Sequence, residues 1–252
     1  MGRQKGILKL QGSVGALNFY KGKDGSYLVR EKNGVDAKRF ATDPNFQRTR
    51  ENGSEFGRAA RAGKLLRTVF RGQIQNAMDS NVVGRLTQQM IAVLQADKVS
   101  TRGQRNVIDG EATLLSGFEF NVGGTLTTSL LAAFTASIDR VTGNCTINIP
   151  SFIPSSLISA TGGTTHFKII STAAAIDFEN VAFVVDNKET ALLPWDKTAT
   201  TAINLINQVG ANSTHPIFLL LGISFFQEVN NVQYPLMNGS FNPLAIVKVE
   251  GL

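Results

Sequence analysis

Residues 54–75, SEFGRAARAGKLLRTVFRGQIQ, read as one amphipathic basic helix. At 100° per residue, Phe56, Ala59, Ala62, Gly63, Leu66, Val69 and Phe70 gather on one side, while Arg58, Arg61, Lys64, Arg67 and Arg71 sweep the other. Ser54 is the expected N-cap, and Glu55 falls in the first turn, where a carboxylate suits the positive end of the helix dipole. Gly57, Ala59, Ala60, Ala62 and Gly63 would let another backbone approach closely, at about 1 kcal/mol per glycine in helix propensity. Such a helix is expected to have a neighbour on its dry face.

Toward the N-terminus, Asp43-Pro44 is a helix-start signal, with the carboxylate as cap and the proline at the first helical position. Gly53 is expected to interrupt the chain before the main helix. Residues 7–32 read as short strands joined by glycine turns. Gly15–Lys21 and Ser26–Lys32 flank Gly22-Lys23-Asp24-Gly25, whose Asp-Gly pair favours a tight hairpin turn, and Asn33-Gly34 offers a second turn. A lone hairpin is marginal in water, so this one is expected to pack on the basic helix or on another subunit.

Toward the C-terminus, Ser80 is read as the cap of a further helix whose stripe is Val82, Leu86, Met90, Val93 and Leu94. Lys98–Gly110 is polar and glycine-containing, and the domain boundary is placed there, dividing a basic hairpin-plus-helices region (1–110) from a β-sandwich domain (111–252). Candidate strands follow at Thr113–Val122, Leu126–Val141, Cys145–Ile149, His166–Thr172, Ile176–Val185, Thr200–Val209, Ile217–Val229 and Leu244–Val249. Ile217-Phe-Leu-Leu-Leu221 is continuously apolar and suits a strand buried on both sides. The fold class is α+β: an N-terminal β-hairpin and two to three helices, then an antiparallel β-sandwich.

Charge is segregated along the chain. Residues 1–110 hold 20 basic and 9 acidic residues, net +11, whereas the remainder holds 5 and 10, net −5. From Ala112 onward 14 of 141 residues are charged, about a tenth where about a quarter is usual. So weakly charged a surface is the kind that other chains cover. The asymmetry fits nucleic-acid or membrane-surface binding and equally a protein whose halves meet opposite halves of neighbouring copies.

No catalytic signature emerges. His166 and His215 are the only histidines and Cys145 the only cysteine; the histidines read as structural or surface residues and Cys145 as a small core residue. Gly-x-Ser-x-Gly, Cys-x-x-Cys and His-Glu-x-x-His are all lacking. Asp177, Glu179 and Asp186 are close enough in sequence to suggest a cation site, though a solvated turn explains them more simply. Trp195 reads as a plug at the sandwich edge. The chain is expected not to be an enzyme and to need no metal or cofactor. Neither a signal peptide nor a membrane-spanning run is expected, and intracellular assembly is the expectation.

The stretch from Gly12 to Arg71, with Gly12-x-x-Gly15, Phe19-Tyr20-Lys21, Asp24-Gly25, Tyr27-Leu28-Val29-Arg30 and the Arg-rich helix, resembles a pattern met in uncharacterised bacterial proteins of similar length with β-rich second halves. The resemblance implies no activity and no site residue. What remains is a structural protein that self-assembles into a homo-oligomer, a filament, tube or shell, by docking its basic N-terminal region on a neighbouring β-domain. Phe19, Tyr20, Tyr27, Phe56, Leu66 and Phe70 are expected to supply buried contact and Arg58, Arg61, Arg67 and Arg71 ionic register. The alternative is a nucleic-acid-binding protein in which the same arginines and Lys64 grip phosphates.

Overall fold

The computed structural model describes residues 2–31, 34–77 and 79–251. The chain divides into two compact units, Met1–Arg50 and Glu51–Leu252. The division falls within the first turn of the basic helix, which starts at Gln47, and residues 98–110 lie inside the second unit.

In the first unit, β1 (Gly2–Arg3), β2 (Gly12–Val14), β3 (Leu17–Lys21) and β4 (Tyr27–Glu31) form a four-stranded antiparallel sheet in the order β1-β4-β3-β2. The expected Asp-Gly turn joins β3 to β4. Gly22 N–H donates to the Ser26 carbonyl at 2.7 Å, Gly25 takes φ +78°, and the Asp24 carboxylate accepts from the Ser26 hydroxyl at 2.7 Å. Lys32 and Asn33, the end of the expected strand and the start of the second turn, lie outside the described residues. A short helix that the periodicity does not announce, α1 (Ala37–Thr42), follows with Asp36 as its cap. Asp43-Pro44 then opens a 3-10 turn as read, the Asp43 carboxylate accepting from Asn45 N–H at 2.9 Å.

That turn leads directly into α2 (Gln47–Val69), which runs unbroken through Gly53. Ser54 is therefore mid-helix rather than a cap, and its hydroxyl donates to the Gly103 carbonyl at 2.8 Å. One glycine's propensity cost of about 1 kcal/mol is small beside the burial of the helix's apolar face, at roughly 1.5–3 kcal/mol per large side chain. Next come α3 (Arg71–Ile74) and α4 (Val82–Gln95). All five expected stripe residues of α4 are buried, although the cap position is Asn81, not Ser80, with Asp79 accepting its N–H at 2.7 Å.

The remaining elements are α5 (Leu126–Ser129), β5 (Thr135–Asp139), β6 (Asn144–Ile149), α6 (Pro154–Leu157), β7 (His166–Asp177), β8 (Ala182–Glu189), β9 (Leu193–Pro194), β10 (Ile203–Gln208), β11 (Ile217–Val229), β12 (Val232–Pro235) and β13 (Leu244–Glu250). They build two antiparallel sheets. A six-stranded sheet has β11 at its centre, flanked by β7 on one side and by β12 and β13 on the other, with β8 and β9 beyond β7. A three-stranded sheet runs β10-β6-β5.

Three expected strands are corrected. Residues 113–122 hold the end of a 3-10 turn, Ala112–Leu115, and a single bridge from Glu119 to Ala245. The stretch from Leu126 starts as a helical turn, makes a single bridge from Leu130 to Ile158, and forms a strand only over Thr135–Asp139. The expected strand 176–185 folds back on itself, because the Asp177 carboxylate accepts from the N–H groups of Glu179 and Asn180 at 2.9 and 3.0 Å and Val181 adopts φ +56°.

Within the second unit the layers are helices, large sheet and small sheet. Leu66, Phe70, Leu86 and Met90 share one core with Ala174, Phe218, Leu220 and Ile246. On the other face, Phe167, Ile169, Leu219 and Leu221 share a second core with Cys145, Ile147, Ile149 and Leu205 of the small sheet. The run Ile217–Leu221 thus alternates between two cores, as its unbroken apolarity implies.

Candidate functional site

The hairpin sheet is amphipathic by register. Leu17 opposes Glu31, Phe19 opposes Val29, Lys21 opposes Tyr27, and Val14 opposes Leu17, so Val14, Leu17, Phe19, Tyr27 and Val29 share one face with Lys21, whose ammonium lies 5.8 Å from the Tyr27 ring centre, and Glu31. Ser13, Asn18, Tyr20, Leu28 and Arg30 share the other, where the Arg30 guanidinium lies 5.5 Å from the Tyr20 ring centre. Phe19 and Tyr27 are therefore brought together, and Tyr20 points away from both. No residue of β1–β4 is buried. Val14 is 64% and Leu17 43% exposed, and Ile7, Leu8 and Leu10 in the β1–β2 connection are exposed as well.

The basic helix of the second unit divides its residues differently. Leu66 and Phe70 are fully buried in the chain's own core, so their surface is covered in cis, whereas Phe56 is 56% exposed. Glu55 is not a solvated first-turn residue. It is buried, accepts from Gly103 N–H at 2.8 Å and lies 3.8 Å from the Arg105 guanidinium. Arg58 donates to the Gln104 carbonyl at 2.6 Å and to its side-chain oxygen at 2.5 Å, and Arg102 lies 3.6 Å from Glu51.

The stretch 98–110, read as a linker, is thus stitched along α2. It turns around Asp97, a buried carboxylate that accepts the N–H groups of Val99, Ser100 and Asn106 at 2.8, 2.9 and 3.2 Å. Burial alone would raise the Asp97 pKa, but these bonds, those from Ser100 foremost, hold it down at about 2. Polar composition signalled a loop correctly; it gave no sign that the loop's partners are within the unit.

Of the expected cations, Arg58 is engaged in that loop. The side chains of Arg61, Lys64, Arg67 and Arg71 make no hydrogen bond or ion pair among the described residues, and all but Arg67 are exposed. Arg61 and Lys64 stand on one wall of a cleft of about 620 Å³, with Ala62, Leu65 and Val107 below them and Phe178, Glu179, Val181 and Phe183 across from them. The β7–β8 side of this cleft was missed, because residues 176–185 read as one uninterrupted strand. Its signal was there in Asp177-Phe-Glu-Asn180, an Asx-type turn sequence.

Elsewhere the candidate chemistries meet ordinary structural partners. The Cys145 thiol is buried between the sheets, which pushes its pKa up to about 12 with Glu250 adding to the effect. His166 and His215 stand 3.6 and 3.8 Å from Glu228 and Asp177. Trp195 packs on the inter-sheet core and its indole N–H donates to the Ile158 carbonyl at 3.2 Å. Asp177 is turned into its own loop, and Asp186 accepts from Gln208 N–H at 2.9 Å. Among the described residues no group of three or more His, Cys, Asp or Glu is placed to hold a metal ion, and no helix is long and apolar enough to cross a membrane.

The second unit is a two-sheet antiparallel sandwich with helices on the outer face of its larger sheet, preceded by a unit whose small sheet has an open apolar face. No protein-family model, no curated protein and no solved structure matches the chain.

Proposed function

We propose that this is a structural protein that self-assembles into a homo-oligomer, a filament, tube or shell, in which the N-terminal unit of one copy docks on the β-domain of the next. The observation that carries the reading is the apolar cluster Val14, Leu17, Phe19, Tyr27 and Val29, bordered by Lys21 and Glu31, on a sheet in which no residue is buried. Such a face stabilises a small sheet only when something covers it. Charge supports the choice of cover. Residues 1–50 hold 11 basic and 4 acidic residues, net +7, against −5 for residues 111–252. A contact between different surfaces of identical chains repeats head to tail, closing into a ring or shell or extending as a helical filament. The dry face of α2 has no part in this scheme, being covered by its own sheet.

In the full-length chain, replacing Leu17 and Phe19 together by Asp places charges on the proposed contact, while Asn18→Asp alters the opposite face. Sedimentation velocity should show large particles for the unsubstituted chain and for Asn18→Asp, and small species for the double substitution. Large particles that survive the double substitution would refute the docking model.

A second reading, nucleic-acid binding, is favoured by the partnerless Arg61, Lys64, Arg67 and Arg71. Its signature is a gel shift whose affinity falls steeply with salt, with a log–log slope of about −0.9 per phosphate neutralised on duplex DNA, and which disappears when these residues are replaced by Ala.

A further inference from the structure

Strand β8 is bonded along one edge only, to β7. Residues of an antiparallel strand direct their backbone groups alternately toward and away from a given neighbour. Ile176 N–H donates to the Pro216 carbonyl at 3.1 Å on the β11 side, so Ala173, Ala175 and Asp177 face β8 and meet Asp186, Val184 and Ala182 there. Phe183 and Val185 consequently direct their N–H and C=O groups out of the sheet edge, and no partner reaches those groups among the described residues. Beyond them the edge is blocked. There the Asp186 carboxylate accepts Gln208 N–H at 2.9 Å.

This open edge borders the cleft. Phe183 pairs with Ile176, whose side chain lies in the helix-side core, so the Phe183 ring stands on the helix side of the sheet, 43% exposed on the cleft wall. A strand added beside β8 would present every second side chain to the same space. There it would meet an apolar floor of Ala62, Leu65, Phe178 and Phe183 and a rim carrying Arg61 and Lys64, with Glu179 as the single carboxylate.

We propose that this cleft is a docking groove for an extended segment of a partner protein, one that adds to the free edge of β8 and turns apolar and acidic side chains alternately toward α2. Three features agree on that class of ligand: unpaired backbone groups ask for a peptide strand, the floor for an apolar side chain, and the partnerless cations for a carboxylate. The chain's own N-terminal unit is a poor occupant, since at net +7 it would bring cations to cations. The groove is independent of the assembly contact proposed above and uses different residues.

The test uses the full-length protein and a fluorescein-labelled, C-terminally amidated octapeptide in which Thr alternates with Val and Glu in turn, so that one face carries Val and Glu. A second octapeptide has Lys in place of Glu. Anisotropy should report saturable binding of the Glu peptide only. Arg61→Glu combined with Lys64→Glu should weaken that binding at least tenfold and transfer preference to the Lys peptide; both positions are exposed, so the fold is preserved and circular dichroism checks it. Hydrogen exchange should slow at the amides of Phe183 and Val185 when the Glu peptide is saturating. The proposal fails if the Glu peptide does not bind, if its binding ignores the charge reversal, or if those two amides stay unprotected. It fails also if the cations bind a single-stranded oligonucleotide in preference to the Glu peptide.

Discussion

Asp97 shows how much one side chain decides here. Its carboxylate closes the turn that carries residues 98–110 back along α2, and it takes three backbone N–H bonds to do so. Because the folded-state pKa of about 2 lies below the ordinary aspartate value of 3.8, the group favours the folded state fully above pH 4 and loses that contribution as pH falls toward 2. Asp97→Asn should therefore cost about 2 kcal/mol at neutral pH, the scale of hydrogen bonds to a charged acceptor. The gap in thermal stability from the unsubstituted protein should close as pH is lowered from 4 to 2. A gap that stays constant over that range would show that shape and not charge is what Asp97 supplies. The same scale shows where sequence reading stops. Glu55 belongs, by position, to a helix start and in space to a buried bond with Gly103, and a partner 48 residues away leaves no mark on local spacing. Val181 is a second case. A β-branched residue at φ +56° is an unfavourable conformation that no residue scale anticipates, so a turn was hidden inside an expected strand.

At the scale of the element, periodicity was most reliable where one face is wholly buried. The stripe of α4 is buried as read, and Ala59, Ala62, Gly63, Leu66 and Val69 of α2 and Phe70 just beyond its end are all buried, while Phe56 is not. What periodicity could not supply was the identity of the neighbour. Gly63, expected to admit a close second backbone, faces side chains of the same chain instead: a Cβ added there would meet Leu86 and Met90 at 3.6 and 3.8 Å. Gly53 and Gly57 face open space. With no close approach to protect, Gly53→Ala and Gly57→Ala should each stabilise the protein by about 0.5–1 kcal/mol, the difference in helix propensity, readable as a higher denaturant midpoint at unchanged slope. If either substitution leaves stability raised but blocks particle formation, that glycine marks a packing site between copies, and the assembly contact would then include α2.

On the scale of the whole molecule, the strand whose run is continuously apolar is also the one that ties the second unit together. Strand β11 contributes Phe218 and Leu220 to the helix-side core and Ile217, Leu219 and Leu221 to the inter-sheet core. Neither layer can come away without exposing one face of it. The helices and both sheets of residues 51–252 should accordingly unfold in a single transition, with the helical ellipticity and the fluorescence of Trp195, which packs on the inter-sheet core, lost together. Leu219→Ala and Leu220→Ala open cavities on opposite faces of the same strand. Each should cost about 3 kcal/mol, and each should lower that one transition as seen by both signals. Were Leu220→Ala to shift the helical signal while the Trp195 signal held its midpoint, the two cores would be energetically separate. The charge step near residue 110 would then mark a real boundary of stability after all, one that the compact packing of the unit conceals.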